Sequence, residues 1–282
     1  YKVKLYINGK RLNSMKILIL GDVMGNTGRK ALEENFKKIT TEHKIDFTVV
    51  NGENAAEDGK GITKEIADSF FSCGVDVITS GNHIWDKGET PEYISNEQRL
   101  LRPENLAEGS PGSGHGIFMT KDKKFKVGVI NLMGNVFMKK TEDLFSAAKN
   151  LQNKIKLKED ADFIIVDLHG EITSEKMAMG HFYDGKATAV VGTHTHVPTA
   201  DTRILDHGTA YQTDIGMCGD YNSVIGMNKE NSIMKFLKDE KAQRHFPSEG
   251  KSTLSGIIVE ADEKTGLAKN VERFIYGGVL TH

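Results

Sequence analysis

The sequence predicts an α/β fold, with a mostly parallel sheet that carries helices on its outer side. Up to residue 196, apolar runs of strand length alternate with amphipathic segments of helical spacing. Short turns that contain glycine join the strands to the helices, and such connections favour parallel strands. After residue 196 the chain is rich in strand-like segments and ends in a hairpin, which indicates a second sheet packed behind the first.

The strands are predicted from short apolar runs that end in polar turns. In chain order they are residues 16–20, 47–50, 75–79, 163–166 and 187–191. Two hairpins are predicted as well, from residues 117–119 with 125–132 and from residues 254–260 with 270–275.

The helices are predicted from apolar residues spaced three or four apart. Leu32, Phe36 and Ile39 define the first helix by this spacing. The second begins after Thr63, an N-cap candidate, and stops at Gly74. The later helices are residues 141–155 and 174–182.

The polar segment 86–116 contains many Pro, Gly and Ser residues, which predicts a loop. The chain has 282 residues, and we expect a single domain over residues 15–282. Met15 opens the first strand and resembles a natural start. Residues 1–14 are basic and have no signal-peptide pattern, so we interpret them as an upstream extension or as residues added during cloning.

The composition is typical of a water-soluble globular protein. Hydrophobic residues make up 38% of the chain and charged residues 27%, with a formal net charge of −2. No apolar run is long enough to span a bilayer, and no basic excess predicts a nucleic-acid groove. Cys73 and Cys218 lack CxxC or CxxH spacing, so neither a disulfide scaffold nor a zinc ribbon is expected. We expect a cytoplasmic protein without a membrane or a stable nucleic-acid partner.

Candidate functional residues follow the carboxyl ends of five predicted strands, the edge at which α/β sheets bind ligands. They are Asp22, Glu53, Asn54, Asn82, His83, His169, His194 and His196. One such residue alone is commonly structural, as a helix N-cap or a satisfied core histidine. Together, carboxylates and imidazoles at one edge indicate a metal centre, and mixed ligands suit Fe, Mn or Zn better than Ca. His194 and His196 are two apart, so an extended chain would point both into one small volume.

These motifs, in this order, resemble those of the calcineurin-like metallophosphoesterases, and more narrowly their YmdB-type bacterial branch. They are Gly21-Asp22, Gly52-Glu53-Asn54, Gly81-Asn82-His83, His169 and Gly192-Thr193-His194-Thr195-His196. The resemblance covers roughly residues 15–280 and includes Arg102-Pro103-Glu104-Asn105. It implies a metallophosphoesterase sandwich, in which two packed mixed β-sheets are flanked by helices in the order α/β/β/α.

Two positions depart from the broader superfamily. Its first motif is Asp-x-His, and Met24 stands at the histidine position. Its second motif supplies a bridging Asp, where this chain has Glu53 followed by Asn54. A thioether is a poor ligand for a hard divalent ion. The resemblance implies that the amide oxygen of Asn54 replaces the missing imidazole, which gives the site a modest preference for Fe or Mn over Zn.

The resemblance implies two divalent metal ions, Fe or Mn first, with Zn and Mg as alternatives. The first ion would bind Asp22, Glu53, Asn54 and His196, and the second Glu53, Asn82, His169 and His194. A hydroxide that bridges the ions would attack phosphorus, since metal-bound water ionises near neutral pH. His83 is assigned as the general acid, because an alkoxide leaving group needs a proton. Asp86 is expected to support His83, and Asp214 is equally consistent with a supporting carboxylate and with a turn residue.

The function implied is that of a phosphodiesterase acting on a small phosphate ester, above all a 2′,3′-cyclic nucleotide. Two alternatives stay open. One is a phosphomonoesterase with the same metal centre, and the other is a metal-dependent nucleotide- or RNA-binding regulator without turnover. We expect residues 86–116 and 133–140 to bind the nucleoside. The sequence decides neither the base preference nor whether the chain forms a homo-oligomer.

Overall fold

Two β-sheets pack face to face in the computed structural model, which describes residues 6–7, 10–11 and 14–280. One sheet has seven strands and the other has six. Each sheet buries its outer face against helices, and a third apolar layer lies between the two sheets. The predicted α/β/β/α sandwich is therefore confirmed.

The strands in chain order are β1 (Tyr6–Ile7), β2 (Lys10–Arg11), β3 (Ser14–Leu20), β4 (Asp22–Val23), β5 (Phe47–Asn51), β6 (Val77–Thr79), β7 (His115–Met119), β8 (Lys126–Met133), β9 (Phe163–His169), β10 (Ala189–Thr193), β11 (Arg203–Ile204), β12 (Ala210–Gln212), β13 (Met217–Asp220), β14 (Ser252–Asp262) and β15 (Ala268–Gly277). The seven-stranded sheet has the order β4-β13-β14-β3-β5-β6, with β15 paired to β14. The six-stranded sheet has the order β11-β12-β10-β9-β8-β7, while β1 and β2 form a separate antiparallel pair.

The helices are α1 (Gly25–His43), α2 (Lys64–Cys73), α3 (Thr90–Asn96), α4 (Leu144–Lys154), α5 (Thr173–Phe182) and α6 (Lys229–Phe236). Helix α2 has the bounds that its sequence predicts. The Thr63 hydroxyl accepts a hydrogen bond from the backbone N–H of Ile66 at 3.3 Å, which caps the first turn. Gly74 ends the helix with a φ of +114°, a left-handed conformation that glycine adopts without strain.

Alternation along the central strands decides which side chains face the space between the sheets. Val49 and Val191 lie in that inner layer, as does Ile165. Two residues further along the same strands, the inward positions become polar, with Asn51 and Asp167 as examples. The inner apolar layer therefore leads directly into a buried polar region at the carboxyl ends of the strands.

The prediction that the terminal hairpin forms the second sheet is wrong. Strand β14 pairs antiparallel with β3 and so joins the first three predicted strands in one sheet. The second sheet is built instead on the parallel strands β8, β9 and β10. Strand partners are chosen by packing between distant segments, which local periodicity does not report.

Two helices were missing from the sequence-based assignment. Helix α3 lies inside the predicted loop 86–116 and begins with Pro91 in its first turn, a position that suits proline. Helix α6 lies where only strands were expected and is capped by the side chain of Asn228. Both are short, and α6 leaves Ile233 and Phe236 exposed, so it has no buried apolar stripe to reveal it.

Most of the predicted extension over residues 1–14 lies outside the described residues, and Ser14 is the first residue of β3. Among the helices of the described ranges, none is both long enough and apolar enough to cross a lipid bilayer.

Candidate metal centre

The predicted metal-binding residues lie together at one end of the sandwich. Asp22 begins β4, one residue after the end of β3, and His169 is the last residue of β9; both side chains are fully buried. Glu53, Asn82 and His194 follow β5, β6 and β10. The strand ends of both sheets therefore converge as expected, while the metal-binding role of each side chain stays a prediction.

His169 lies at the centre of this group. Its Nε2 atom is 3.1 Å from Asn82 Oδ1 and 3.2 Å from Glu53 Oε1. The same atom is 3.1 Å from Nδ1 of His194. Gly81 makes room for the ring, since a Cβ at that position would lie 2.2 Å from Cδ2 of His169. These four donors are the set expected for the second ion.

Asp22, Asn54 and His196, three of the donors expected for the first ion, lie beside this group. The Oδ2 atom of Asp22 accepts a hydrogen bond from the backbone N–H of His194 at 3.1 Å. Its Oδ1 atom is buried without a hydrogen-bond partner and lies 3.6 Å from Nδ1 of His169. The Nε2 atom of His196 is 3.2 Å from Asn54 Oδ1. A buried carboxylate oxygen without a partner is rare in proteins, and here it marks a place where a cation would be favourable.

The spacing of these donors suits divalent ions. Two ligands at right angles on an ion with bonds of about 2.1 Å lie about 3.0 Å apart. The donors around His169 are separated from its Nε2 atom by 3.1 and 3.2 Å. Within the part of the chain that the structure describes, no three His, Cys, Asp or Glu side chains could hold an ion by themselves. The amide oxygens of Asn54 and Asn82 add oxygen donors beside the carboxylates and imidazoles, and the donor chemistry as a whole fits a pair of divalent ions.

Burial and close contact shift the pKa values of this group. Burial raises the pKa of Asp22. Burial also acts to raise the pKa of Glu53, but His169 and His83 overcome it and lower that pKa to about 2. Burial opposes protonation of His169, yet the adjacent carboxylates raise its pKa to about 9. Burial and the charge of His169 lower the pKa of His194 to about 3. The site thus favours one positive charge at its centre.

His83 lies at the edge of the group, with 23% of its side chain exposed. Its backbone N–H donates to the Glu53 carboxylate at 3.1 Å, which ties it to the metal donors. Its Nδ1 atom is 2.6 Å from Oδ2 of Asp86, so Asp86 supports the ring as expected and directs Nε2 away from itself. Lys139 donates to the carbonyl oxygen of Asn82 at 2.5 Å, beside this pair.

The two-histidine loop, residues 193–196, is not extended as the sequence reasoning assumed. His194 has a φ of +99° and His196 a φ of +66°, both in the left-handed region that residues other than glycine avoid. Both imidazoles still reach the site, because hydrogen bonds to neighbouring carboxylates hold the loop. Asp22 binds the N–H of His194, and Asp214 binds the N–H of Thr195 at 3.1 Å. Asp214 is thus a supporting carboxylate.

A buried network behind the donors was missed. Asp167 accepts hydrogen bonds from Thr79 Oγ1 at 2.6 Å, Asn51 Nδ2 at 3.0 Å and Thr193 Oγ1 at 2.8 Å. Thr193 Oγ1 in turn lies 3.1 Å from Nδ1 of His169. The signal was present, since Asp167 has the same strand parity as His169 and as the inward apolar residues of β9.

Two further contacts were not expected from the sequence. The Glu171 carboxylate lies 3.0 Å from Nε2 of His194. In the predicted loop segment 86–116, Nδ1 of His115 lies 3.1 Å from the Glu104 carboxylate and its Nε2 lies 2.9 Å from Nζ of Lys154.

Known proteins resemble this chain over most of its length. A family model described as YmdB-like protein matches residues 18–274. The chain belongs to the YmdB-like family. The 2′,3′-cyclic-nucleotide 2′-phosphodiesterase of Bacillus subtilis strain 168 is 45% identical over 261 residues, which are 93% of this chain and 97% of that protein.

Two crystal structures resemble this YmdB-like chain over nearly its whole length. A hypothetical protein from Thermus thermophilus has a TM-score of 0.84 at 35% identity, covering 94% of this chain and 100% of that one. A novel phosphatase from Mycoplasma pneumoniae has a TM-score of 0.85 at 37% identity, covering 94% of each chain. The expected metallophosphoesterase fold is thereby confirmed.

Proposed function

We propose that this YmdB-like protein is a metal-dependent phosphodiesterase that opens 2′,3′-cyclic nucleotides. The observation that carries the proposal is the cluster of carboxylate, amide and imidazole donors around His169. A pair of cations held in this way is a known arrangement for displacement at phosphorus. The name of the Bacillus subtilis relative supports the substrate class.

The donors divide into two ligand sets that share Glu53. The first set is Asp22, Glu53, Asn54 and His196, and the second is Glu53, Asn82, His169 and His194. Each set combines oxygen with imidazole nitrogen, and the first is the richer in oxygen. This balance favours Fe or Mn over Zn, because carboxylate and amide oxygens are harder ligands than imidazole.

When bound, the ions would supply Lewis acidity and a water molecule with a pKa lowered toward neutrality. The protein fixes the surroundings in advance. Asp22 and Glu53 are buried and hydrogen-bonded to the backbone of His194 and His83, so the site needs little reorganisation during the reaction. Asn82 and His83 are consecutive, so a phosphate held by the donors lies within reach of the His83 ring.

His83 supplies the proton that the departing oxygen needs. Water adds to phosphorus, the bond from phosphorus to the 2′ oxygen breaks, and that oxygen takes a proton from His83. The product is a 3′-phosphate, and the proton lost by the water passes to solvent. Asp86 Oδ2 lies 2.6 Å from Nδ1 of His83 and fixes the orientation of the ring for transfer.

The nucleoside would lie over residues 133–140, the predicted nucleoside-binding segment next to His83. Lys139 is bound to the Asn82 carbonyl and lies 3.5 Å from Asp86, so this segment borders the reaction centre. Phe137, two residues away, is 86% exposed and has a φ of +60°. An exposed aromatic ring at the edge of a phosphate site can stack on a base.

The test is turnover by metal-loaded protein. Protein stripped of metal and reloaded with Mn²⁺ or Fe²⁺ should convert 2′,3′-cyclic AMP into the 3′-monophosphate, measured by chromatography. Asp22→Asn should abolish turnover, while Asp206→Asn, at an exposed position, should not. Wild-type protein that binds Mn²⁺ but hydrolyses no cyclic nucleotide would support the regulatory binder instead.

A phosphomonoesterase is the second candidate, because the Mycoplasma pneumoniae structure is described as a phosphatase. The two activities separate when p-nitrophenyl phosphate is compared with bis(p-nitrophenyl) phosphate at equal Mn²⁺. We expect a higher kcat/KM for the diester, and the reverse order would favour the monoesterase.

A further inference from the structure

A buried ion pair lies beneath the two-histidine loop. Lys176 of α5 and Asp214, between β12 and β13, each expose only 1% of their side chains, and Nζ lies 2.7 Å from Oδ2. Removing two charges from water is costly, and a buried pair adds little net stability. Stability alone therefore does not explain why this fold contains a buried ion pair.

Asp214 accepts two further hydrogen bonds from Thr195 in the two-histidine loop and one from Gly216 outside it. Its Oδ2 atom accepts from the N–H of Thr195 at 3.1 Å and from the Thr195 hydroxyl at 2.7 Å. Its Oδ1 atom accepts from the N–H of Gly216 at 2.9 Å. Thr195 therefore donates two hydrogen bonds to the Asp214 carboxylate, and the ion pair with Lys176 fixes the position of that carboxylate.

The stem of Lys176 crosses the ends of two strands. A Cβ on Gly192, in β10, would lie 2.7 Å from Cδ of Lys176, and one on Gly170, after β9, would lie 3.9 Å from its Cε. The lysine therefore packs against the segments that lead into both His194 and His169, and it reaches Asp214 from behind the site.

Thr195 lies between two residues with a strained backbone conformation. His194 and His196 flank Thr195, and both have the left-handed φ values given above. Such conformations persist only where the surroundings enforce them. The peptide between the two histidines is the part of the loop that the ion pair fixes.

We propose that the Lys176–Asp214 pair is a positioning device that holds His194 and His196 in the conformation that binds metal. The inference rests on the proposed function, in which these histidines are ligands. Neither Lys176 nor Asp214 binds the ions; the pair acts through Thr195. Groups that orient metal ligands commonly change metal affinity when they are replaced.

The experiment measures Mn²⁺ affinity of metal-stripped protein by isothermal titration calorimetry. Lys176→Met combined with Asp214→Asn removes both charges while keeping the packing volume, so no buried charge is left without a partner. We expect Mn²⁺ to bind this double variant about 10- to 100-fold more weakly than wild type. Excess Mn²⁺ should then restore most of kcat. The matched controls, at exposed positions, are Lys186→Met and Asp206→Asn.

A pair with only a structural role would leave the Mn²⁺ affinity of the folded double variant unchanged, and that result overturns the inference. If the double variant does not fold, the Mn²⁺ affinity of Thr195→Val is measured instead, because this variant keeps the ion pair and loses one of the two hydrogen bonds to Asp214. Weaker Mn²⁺ binding supports the inference, and unchanged binding overturns it. If wild type binds Mn²⁺ and turns over substrate, and the double variant binds Mn²⁺ with the same affinity, this inference is refuted but the proposed function is not. Wild type that binds no Mn²⁺ refutes the proposed function.

Discussion

At the scale of single residues, His83 differs from His169 in its surroundings. His169 is fully buried, with Glu53 3.2 Å from its Nε2 atom. His83 is partly exposed, and the Asp86 carboxylate beside its ring faces Nδ1 and not Nε2. The exposed setting of His83 suits a group that exchanges protons with solvent and substrate. The buried setting of His169, with oriented neighbours, suits a metal ligand.

Replacing His83 with Ala should therefore affect substrates unequally. Turnover of 2′,3′-cyclic AMP should fall about 10²- to 10⁴-fold, the usual contribution of a general acid. Hydrolysis of bis(p-nitrophenyl) phosphate should fall far less, because nitrophenolate leaves without a proton. Steady-state kinetics at saturating Mn²⁺ measure both. Equal losses for the two substrates would show that His83 acts in another way.

Asp167 supports the donors from behind, and its loss should lower stability. In Asp167→Ala the amide of Asn51 and the hydroxyls of Thr79 and Thr193 lose their acceptor in a buried region. We expect the free energy of unfolding to fall by about 3 kcal/mol, since each unsatisfied buried group costs about 1–3 kcal/mol. Urea denaturation followed by circular dichroism measures the change. A loss below about 0.5 kcal/mol, typical of surface changes, would contradict the network.

The residues that follow strand ends could be predicted from the sequence, because strand ends and ligand chemistry are local properties. Asp214 and Lys176 could not be assigned in this way. Their meeting depends on how α5 packs over the sheet, and no spacing in the chain records that contact. The left-handed φ values of the two histidines likewise lie in a loop whose backbone binds carboxylates that are distant in sequence, with Asp22 accepting from His194 and Asp214 from Thr195.

At the scale of elements, segments with their own start and stop signals were predicted to within a residue or two. Helix α2 is the clearest, with a capping threonine and a terminal glycine. Helix α6 shows the opposite case, because its apolar residues are exposed and leave no periodic stripe. The allocation of strands to sheets failed for a different reason, since β14 is paired with β3 across most of the chain length.

The cap of α2 can be tested directly. Thr63→Ala removes the acceptor for the N–H of Ile66, so the free energy of unfolding should fall by about 1 kcal/mol. Thr63→Ser keeps an acceptor hydroxyl and should lose at most a few tenths. Thermal or urea unfolding compares the pair. Equal losses in both variants would mean that the methyl group of Thr63, and not its cap, stabilises this turn.

At the scale of the whole molecule, the sandwich brings ligands from two separate sheets to one place. Glu53 and Asn82 follow strands of the seven-stranded sheet, whereas His169 and His194 come from the six-stranded sheet. Each proposed ion would therefore bind both sheets at once. Binding should then resist separation of the two layers, since an ion held by both is lost when they part.

Cation removal should accordingly lower the melting temperature. At a Mn²⁺ concentration of 100 times Kd, one site adds about 2.7 kcal/mol, which for a chain of this length raises Tm by about 5 °C. Chelation with EDTA should reverse the rise, measured by differential scanning calorimetry. Asp22→Asn should show a much smaller rise, whereas Asp206→Asn should match wild type. If Asp22→Asn were stabilised by Mn²⁺ as strongly as wild type, the cation that stabilises the fold would bind elsewhere.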